Sequence, residues 1–215
     1  MAGQITGAEA VLQALNDNEP ITMVLVDREK DTTLIRTICE SKGIRLEEGS
    51  TNDLWRMSAE GHVDALALVG RRPEASLEEV FERGGTIWFF DGVTYSTNLG
   101  FAIRTAEVAG ADAVLLNVAK THEERRTIRR SSMRADRFIP VVYTTTDAIL
   151  AASKQHGTRI IAVEDVGTHG PWEEDLTGDV VLVVGAEKEG ISQHVLDAAD
   201  ACVLLPTRNF LAPSG

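Results

Sequence analysis

The run VVLVV at positions 180–184 sets the strongest limit on how this chain can fold. Five consecutive aliphatic residues are typical of a strand that is buried on both faces, as the strands of a parallel sheet are. Gly185 follows at once, and a glycine there lets the main chain turn sharply and approach a ligand closely. The run therefore predicts an α/β protein with a parallel sheet, with Glu187 on the turn that leaves this strand.

Strands and helices alternate along the rest of the chain. From residue 86 onward, strands are predicted at residues 86–90, 113–116, 138–142, 159–163 and 180–184, with helical stretches between them. A shorter alternation before that point predicts a small sheet surrounded by helices. We therefore expect a small domain at residues 1–70, a polar linker with a lead-in helix at 71–85, and a larger α/β domain at 86–215.

The stretch from Phe90 to Ala106 is predicted to form a strand, a polar turn and a helix. Thr97 or Asn98 is expected to cap the helix, because either side chain can accept from the free amides of its first turn. Arg104 would lie two turns further on. A carboxamide and a guanidinium would then stand at the carboxyl end of a strand, where open α/β sheets bind ligands. An ordinary strand–helix unit with an exposed arginine is the simpler alternative.

The composition is that of a globular chain, with 43% hydrophobic and 25% charged residues. Because the sequence has no apolar run of membrane-spanning length and no signal pattern at its start, we expect a cytoplasmic enzyme. Cys39 and Cys202 lie among apolar residues, which predicts reduced core thiols. The histidines are scattered without ligand spacing, so we expect no metal site.

Three motifs together resemble the SpoU/TrmH family of the SPOUT superfamily, the RNA ribose 2′-O-methyltransferases. The family's first motif, N-x-G-x-x-x-R-T-A, matches residues 98–106, and its second, G-x-E-x-x-G, matches residues 185–190. The third begins with an aliphatic residue and a proline, which Leu205 and Pro206 match. The resemblance is strong over residues 86–211. It is weaker over residues 3–70, which look like the start of the L30e-like substrate-binding domain of rRNA-directed members.

The resemblance implies a SPOUT domain with a trefoil knot, which uses S-adenosyl-L-methionine to methylate a ribose of structured RNA. Ribosomal RNA is favoured over tRNA because of the N-terminal domain, and members of the family act as homodimers. The implied catalytic residues are Asn98, Arg104 and Glu187. An arginine rarely gives up its proton, so Arg104 is expected to stabilise developing negative charge. The implied cofactor-binding residues are Leu116, Asn117, Gly185, Ala186, Leu205 and Pro206.

The net charge of −12 argues against general binding of polyanions. Yet seven basic residues stand between positions 120 and 137 against three acidic ones, so this basic segment has a net charge of +4. Beside the family resemblance, the segment predicts a local RNA-docking surface. Arg129, Arg130 and Arg134 are the preferred phosphate contacts. The alternative is a solvated helix face with Glu–Arg pairs.

Two departures from the family pattern stand out. Arg134 occupies a place where the family usually has a glycine. The third motif normally continues into S-L-N-x-S-x-A and a final helix, whereas this sequence stops shortly after Ser214. We therefore expect the closing helix of the fold to be missing, and the 215-residue chain to bind the cofactor poorly and to methylate nothing. The alternatives are a non-catalytic RNA-binding or ribosome-associated protein on the same scaffold, or a small-molecule α/β enzyme.

Overall fold

The computed structural model of the chain describes residues 3–58, 60–69 and 74–205. The chain divides into two compact units, Met1–Arg72 and Pro73–Gly215. Most of the polar part of the expected linker lies outside the described residues, and so do Pro206 and Ser214. No helix within the described ranges is both long and apolar enough to cross a membrane.

The first unit is a four-stranded sheet with three helices. Its strand order is β1-β4-β2-β3, and only β2 and β3 run parallel. Apolar residues of the first two helices pack on the sheet, with Val11, Leu15 and Ile35 almost fully buried. The elements are β1 (Gly3–Thr6), α1 (Ala8–Asn16), β2 (Ile21–Asp27), α2 (Thr33–Lys42), β3 (Arg45–Gly49), α3 (Thr51–Met57) and β4 (Ala65–Val69).

The second unit alternates strands and helices throughout its described residues. Two short 3-10 turns, Ala135–Arg137 and Pro171–Glu173, interrupt this alternation. The elements are α4 (Leu77–Arg83), β5 (Thr86–Asp91), α5 (Ser96–Val108), β6 (Ala113–Leu116), α6 (His122–Ser131), β7 (Val141–Tyr143), α7 (Thr146–His156), β8 (Arg159–Val163), β9 (Val180–Gly185), α8 (Gln193–Ala198) and β10 (Ala201–Val203).

These strands form a six-stranded, fully parallel sheet in the order β10-β8-β9-β5-β6-β7. The aliphatic run at 180–184 is a central strand, as its pattern predicts. Helices α4, α7 and α8 pack on one face of the sheet and α5 and α6 on the other. The predicted parallel α/β class is therefore confirmed.

One predicted boundary is wrong. The strand expected at residues 138–142 begins only at Val141, because Phe138 and Ile139 still belong to the turn that leaves the 3-10 helix. Both side chains are buried, so their apolar character reflects packing rather than strand pairing.

Candidate functional site

The carboxyl ends of β9, β5 and β6 lie side by side in the sheet. Asp91, the last residue of β5, pairs in register with Gly185, the last residue of β9. The loop into α5 and the turn after β9 therefore leave the sheet next to each other. This arrangement brings residues 98–106 and 185–190, which are far apart in sequence, to one edge of the sheet.

Asn98 and Glu187 are joined directly across this edge. The Nδ2 amide of Asn98 donates a hydrogen bond to Oε1 of Glu187. This bond, together with one from the main-chain amide of Glu187, lowers the pKa of the Glu187 carboxyl below its usual value. Both bonds therefore favour the ionised form of the carboxyl group. A surface cavity of about 380 Å3 lies beside the bond. Its lining residues are Tyr95, Ser96, Thr97, Asn98, Glu187 and Lys188.

The expected helix cap at Thr97 or Asn98 is wrong. Helix α5 already begins at Ser96, and its N-cap residue, Tyr95, makes no side-chain capping bond. Asn98 lies within the first turn of the helix, and its amide reaches Glu187 instead of the local main chain. A partner 89 positions away in sequence thus determines the direction of this side chain.

The turn at residues 185–190 closes on itself. Ala186 and Gly190 exchange two main-chain hydrogen bonds, of 3.1 and 2.9 Å. A Cβ atom on Gly185 would lie 2.1 Å from the carbonyl carbon of Gly190 and 2.3 Å from the amide nitrogen of Ile191. The closure of the turn therefore already requires a glycine at 185. That Gly185 also admits a ligand stays a prediction.

A buried carboxylate below this turn, Asp91, was missed by the sequence reasoning. Asp91 is 3% exposed and accepts from Nδ2 of Asn117 at 2.6 Å and from the Ser192 amide at 2.7 Å. Asn117 in turn accepts from the Gly92 amide at 2.8 Å and donates to Oγ1 of Thr146 at 2.9 Å. The two side chains join the segments that follow β5, β6, β7 and β9. The available signal was an acidic residue ending an apolar strand.

Arg104 does not meet Asn98 or Glu187. Its guanidinium pairs with Glu107 on the next turn of α5, and the Arg104 side chain is 34% exposed. Residues six positions apart on a helix are about 9 Å apart along the axis and roughly a third of a turn apart around it. The structure therefore brings together two of the three expected catalytic residues and leaves Arg104 on another side of α5.

The expected cofactor-binding residues differ in what they can offer. Leu116 has a fully buried side chain, and its carbonyl accepts from the Thr144 amide at 2.9 Å. The Asn117 side chain is held in the Asp91 network, whereas Leu205 is 54% exposed. Among the described residues, no cluster of three His, Cys, Asp or Glu side chains could hold a metal ion.

The basic segment is only partly available to a ligand. Lys120 has a side chain 3% exposed, which donates to the Thr94 carbonyl and pairs with Glu124. Arg125 lies over the ring of Tyr143, at 4.4 Å from its centroid. Lys120 thus links the loops before α5 and α6, and Arg125 packs against Tyr143 of β7, so both cations are already engaged within the protein.

The three arginines chosen as phosphate contacts are exposed. Arg129 and Arg130 lie on the last turn of α6, and Arg129 also pairs with Asp136 at 3.1 Å. Arg134 follows in a left-handed conformation, with φ of 61°. Left-handed backbone favours glycine, which gives a physical reason for the family's preference at this place.

The glycine of the first motif, Gly100, marks a close helix crossing. A Cβ atom there would lie 1.8 Å from Oγ of Ser131 and 2.8 Å from the carbonyl oxygen of Ile128. Any larger side chain would push α5 away from α6. Gly100 thus allows α6, which carries Arg129 and Arg130, to pack closely against α5, which carries Asn98.

One protein-family model matches the chain, the SpoU rRNA Methylase family, over residues 86–212. Among curated proteins, a 23S rRNA (guanosine-2′-O-)-methyltransferase, RlmB, of Pseudomonas putida is 34% identical over 137 residues, which is 62% of this chain and 55% of that protein. The RlmB protein of Photobacterium profundum is 26% identical over 214 residues, or 94% of this chain and 87% of that protein. The chain thus matches about half the length of the Pseudomonas relative.

Solved structures agree in fold. An AdoMet-bound rRNA methyltransferase from Sinorhizobium meliloti superposes with a TM-score of 0.59 at 20% identity, over 98% of this chain and 80% of that one. A structure described as an RNA 2′-O ribose methyltransferase gives a TM-score of 0.57 at 26% identity, over 98% and 81% of the two chains. The architecture is therefore that of SpoU methyltransferases.

Proposed function

The chain belongs to the SpoU rRNA methylase family, and we propose that it is an S-adenosylmethionine-dependent methyltransferase that modifies a ribose 2′-hydroxyl of structured RNA. The observation that carries the proposal is the Asn98–Glu187 hydrogen bond, which joins the two motif regions beside one cavity. Relatives described as 23S rRNA methyltransferases favour ribosomal RNA as the substrate. Such a substrate is consistent with the expected cytoplasmic location.

The residues present fit this cofactor. The cavity of about 380 Å3 is within the usual size range of small-molecule sites, and an ionised carboxylate lines it. A carboxylate suits a positively charged sulfonium. When bound, S-adenosylmethionine supplies an activated methyl group. The expected cofactor-binding residues that the structure describes are not among those that line this cavity. Gly185 and Ala186 would hold the cofactor from the adjoining turn, Leu116 and Asn117 through main-chain groups, and Leu205 through its exposed side chain.

The catalytic work of the protein would be alignment and charge stabilisation. Asn98 holds the Glu187 carboxylate in place, and both can orient a ribose at the cavity mouth. Arg104 keeps several N–H donors besides the one on Glu107, and a guanidinium stays protonated at neutral pH. We propose that Arg104 contacts the RNA and stabilises negative charge that develops on the ribose oxygen.

The RNA-docking surface would be the exposed part of the basic segment. Replacing Arg129, Arg130 and Arg134 together by Ala should weaken RNA binding and flatten its dependence on salt, because fewer counterions are released. Affinity for S-adenosylmethionine should stay the same. Fluorescence anisotropy with a labelled rRNA fragment at several salt concentrations measures the slope. An unchanged slope would reduce the segment to a solvated helix face.

We also propose that the first unit contributes to RNA binding, as an L30e-like domain would. The support is that the Photobacterium relative matches 94% of the chain, a span that includes this unit. Ultraviolet crosslinking of a labelled rRNA fragment, followed by peptide mapping, should place crosslinks within residues 1–72. Crosslinks confined to the second unit would contradict this part of the proposal.

A homodimer is the proposed assembly. Phe101 and Val108, seven positions apart on one face of α5, are 60% and 68% exposed. A second copy would cover this face. Light scattering should show a dimer for the native protein and a monomer for the double variant Phe101→Asp/Val108→Asp. Leu34→Asp changes a residue that is 68% exposed in the first unit, and that variant should remain dimeric.

The direct test is calorimetry with S-adenosylmethionine, followed by transfer of a labelled methyl group to an rRNA fragment. We expect binding, and label on the 2′-oxygen of one nucleotide. This result would show that the expectation drawn from the third motif, of a chain that binds the cofactor poorly and methylates nothing, is wrong. RNA binding without transfer would favour the non-catalytic alternative. Absence of both cofactor and RNA binding would reject the family's activity for this chain.

A further inference from the structure

The exit of the 185–190 turn is held by two carboxylates from the strands on either side of β9. Glu164 follows β8, and its Oε2 accepts from the Ile191 amide at 2.8 Å. Asp91 ends β5, and its Oδ2 accepts from the next amide in the chain, that of Ser192, at 2.7 Å. Because β9 lies between β8 and β5 in the sheet, the end of the turn is hydrogen-bonded to both neighbouring strands.

This attachment is built tightly into the turn. A Cβ atom on Gly190 would lie 2.8 Å from Oε2 of Glu164, and Gly190 has a φ of 66°. Only a glycine therefore allows the carboxylate to reach the amide behind it without strain. Asp91 is also buried, and its other oxygen is taken by Asn117. Each carboxylate is also held outside the turn, Glu164 by the amide of Asp165 at 3.3 Å and Asp91 by Asn117.

We infer that Asp91 and Glu164 are positioning residues for cofactor binding, acting through the main chain of the 185–190 turn. This inference rests on the proposed function. Without either acceptor, one of two consecutive amides loses its partner, and the start of α8 is no longer held against the sheet. The turn that carries Glu187 and the main-chain groups of Gly185 and Ala186 is then held less firmly against the sheet. The binding site is no longer preorganised, which weakens binding more than the chemical step.

The two carboxylates should respond differently to removal of charge. Glu164 uses Oε2 for the turn, and its Oε1 accepts a longer bond of 3.3 Å from the amide of the adjacent Asp165. In Glu164→Gln the amide oxygen can keep the turn bond, and the long bond to Asp165 is lost. Asp91 needs both oxygens, one for Ser192 and one for Asn117. In Asp91→Asn, an NH2 group must face one of these donors. Glu164→Gln should therefore behave like the native protein, whereas Asp91→Asn should behave like Asp91→Ala.

The experiment measures the Kd and KM for S-adenosylmethionine and kcat at saturating cofactor for these variants and for Glu164→Ala. We expect at least a tenfold higher Kd and KM for Glu164→Ala, Asp91→Ala and Asp91→Asn, with kcat reduced less than threefold. Asp200→Ala is the matched control, because Asp200 accepts from one main-chain amide, that of Ile160, at the opposite edge of the sheet. Its KM should stay within twofold of the native value.

The possible outcomes separate a failure of the proposed function from a failure of the positioning role. If the native protein does not bind the cofactor, the proposed function fails. If it binds and the Glu164 and Asp91 variants bind equally well, the positioning role is wrong. Equal loss in Asp200→Ala would show a general effect of stability and would also overturn it. If the alanine variants do not fold, native-like binding by Glu164→Gln with weak binding by Asp91→Asn upholds the inference, and equal binding by these two rejects it.

Discussion

The six-stranded sheet has an amino edge, where its strands begin, and a carboxyl edge, where they end. At both edges, carboxylates accept hydrogen bonds from main-chain amides, but the bonds hold different kinds of segment. At the amino edge, three aspartates that each directly precede a strand accept from main-chain amides at the start of a neighbouring strand. Asp112 accepts from Thr86 at 2.8 Å, and the other pairs are Asp179 with Gly85 at 2.6 Å and Asp200 with Ile160 at 2.7 Å. These bonds fix strand against strand.

At the carboxyl edge, the carboxylates of Asp91 and Glu164 accept from amides beyond the end of β9. They hold a turn rather than a strand, and that turn carries the Glu187 carboxylate beside the cavity. A buried or half-buried carboxylate that accepts from a main-chain amide therefore does not by itself indicate function. What the held segment carries decides whether losing the bond affects stability or binding.

The largest expected difference is between two arginines that each pair with a glutamate, Arg104 of α5 and Arg159 of β8. Arg104→Ala and Arg104→Lys should lower methyl transfer by about a hundredfold or more, because neither keeps a planar guanidinium near the ribose. Arg159, at the amino edge, pairs with Glu174, which lowers the pKa of that carboxyl. Arg159→Ala should leave kcat unchanged and reduce thermal stability. Single-turnover assays and calorimetric melting measure both; robust transfer by Arg104→Ala would remove Arg104 from the mechanism.

The next effect is on stability alone. Asp179→Ala and Asp200→Ala together should reduce the free energy of unfolding by about 1–3 kcal/mol, because two main-chain amides lose their acceptors. The Kd for S-adenosylmethionine should not change. Urea denaturation and calorimetry test this pair. Weaker cofactor binding in the double variant would show that the amino edge also shapes the site.

Smaller changes in stability and in RNA binding are expected at Arg134, three residues after the end of α6. Arg134→Gly should stabilise the protein by roughly 0.5–1 kcal/mol, because glycine adopts the left-handed conformation without steric cost. The same change should weaken RNA binding and reduce its salt slope by about one charge. Denaturation should therefore show a higher free energy of unfolding, and anisotropy titrations should show a lower affinity for RNA. Arg134→Lys is the control that keeps the charge and the strain.

The smallest effect is electrostatic. Removing the donor in Asn98→Ala should raise the pKa of Glu187 toward its usual value, because the Asn98 bond is the main cause of its lowering. The bond from Asn98 favours the ionised form of Glu187 and so lowers its pKa. The stability that this bond gives the protein is therefore fully present at neutral pH and is lost as pH falls through the lowered pKa. The acidic limb of activity should move to higher pH in the variant. Carboxyl NMR titration of Glu187 measures the shift, and an unchanged titration would contradict the bond.

The sequence by itself determined the class of fold and the segments of the site. A run of five aliphatic residues requires burial on both faces, and the spacing of residues 98–106 and 185–190 identifies the family. These features are local, so a linear pattern is sufficient to read them. Local capping preference also predicted a helix cap at Thr97 or Asn98, where the structure has none.

Only the tertiary structure decided which side chains meet. It directed Asn98 to Glu187, left Arg104 with Glu107, and placed the cation of Lys120 in a buried contact. It also joined Asp91 to Ser192, a residue 101 positions away, by a hydrogen bond. The physical reason is that a parallel sheet brings together chain segments whose separation in sequence carries no information about their distance. Side-chain hydrogen bonds depend on that distance.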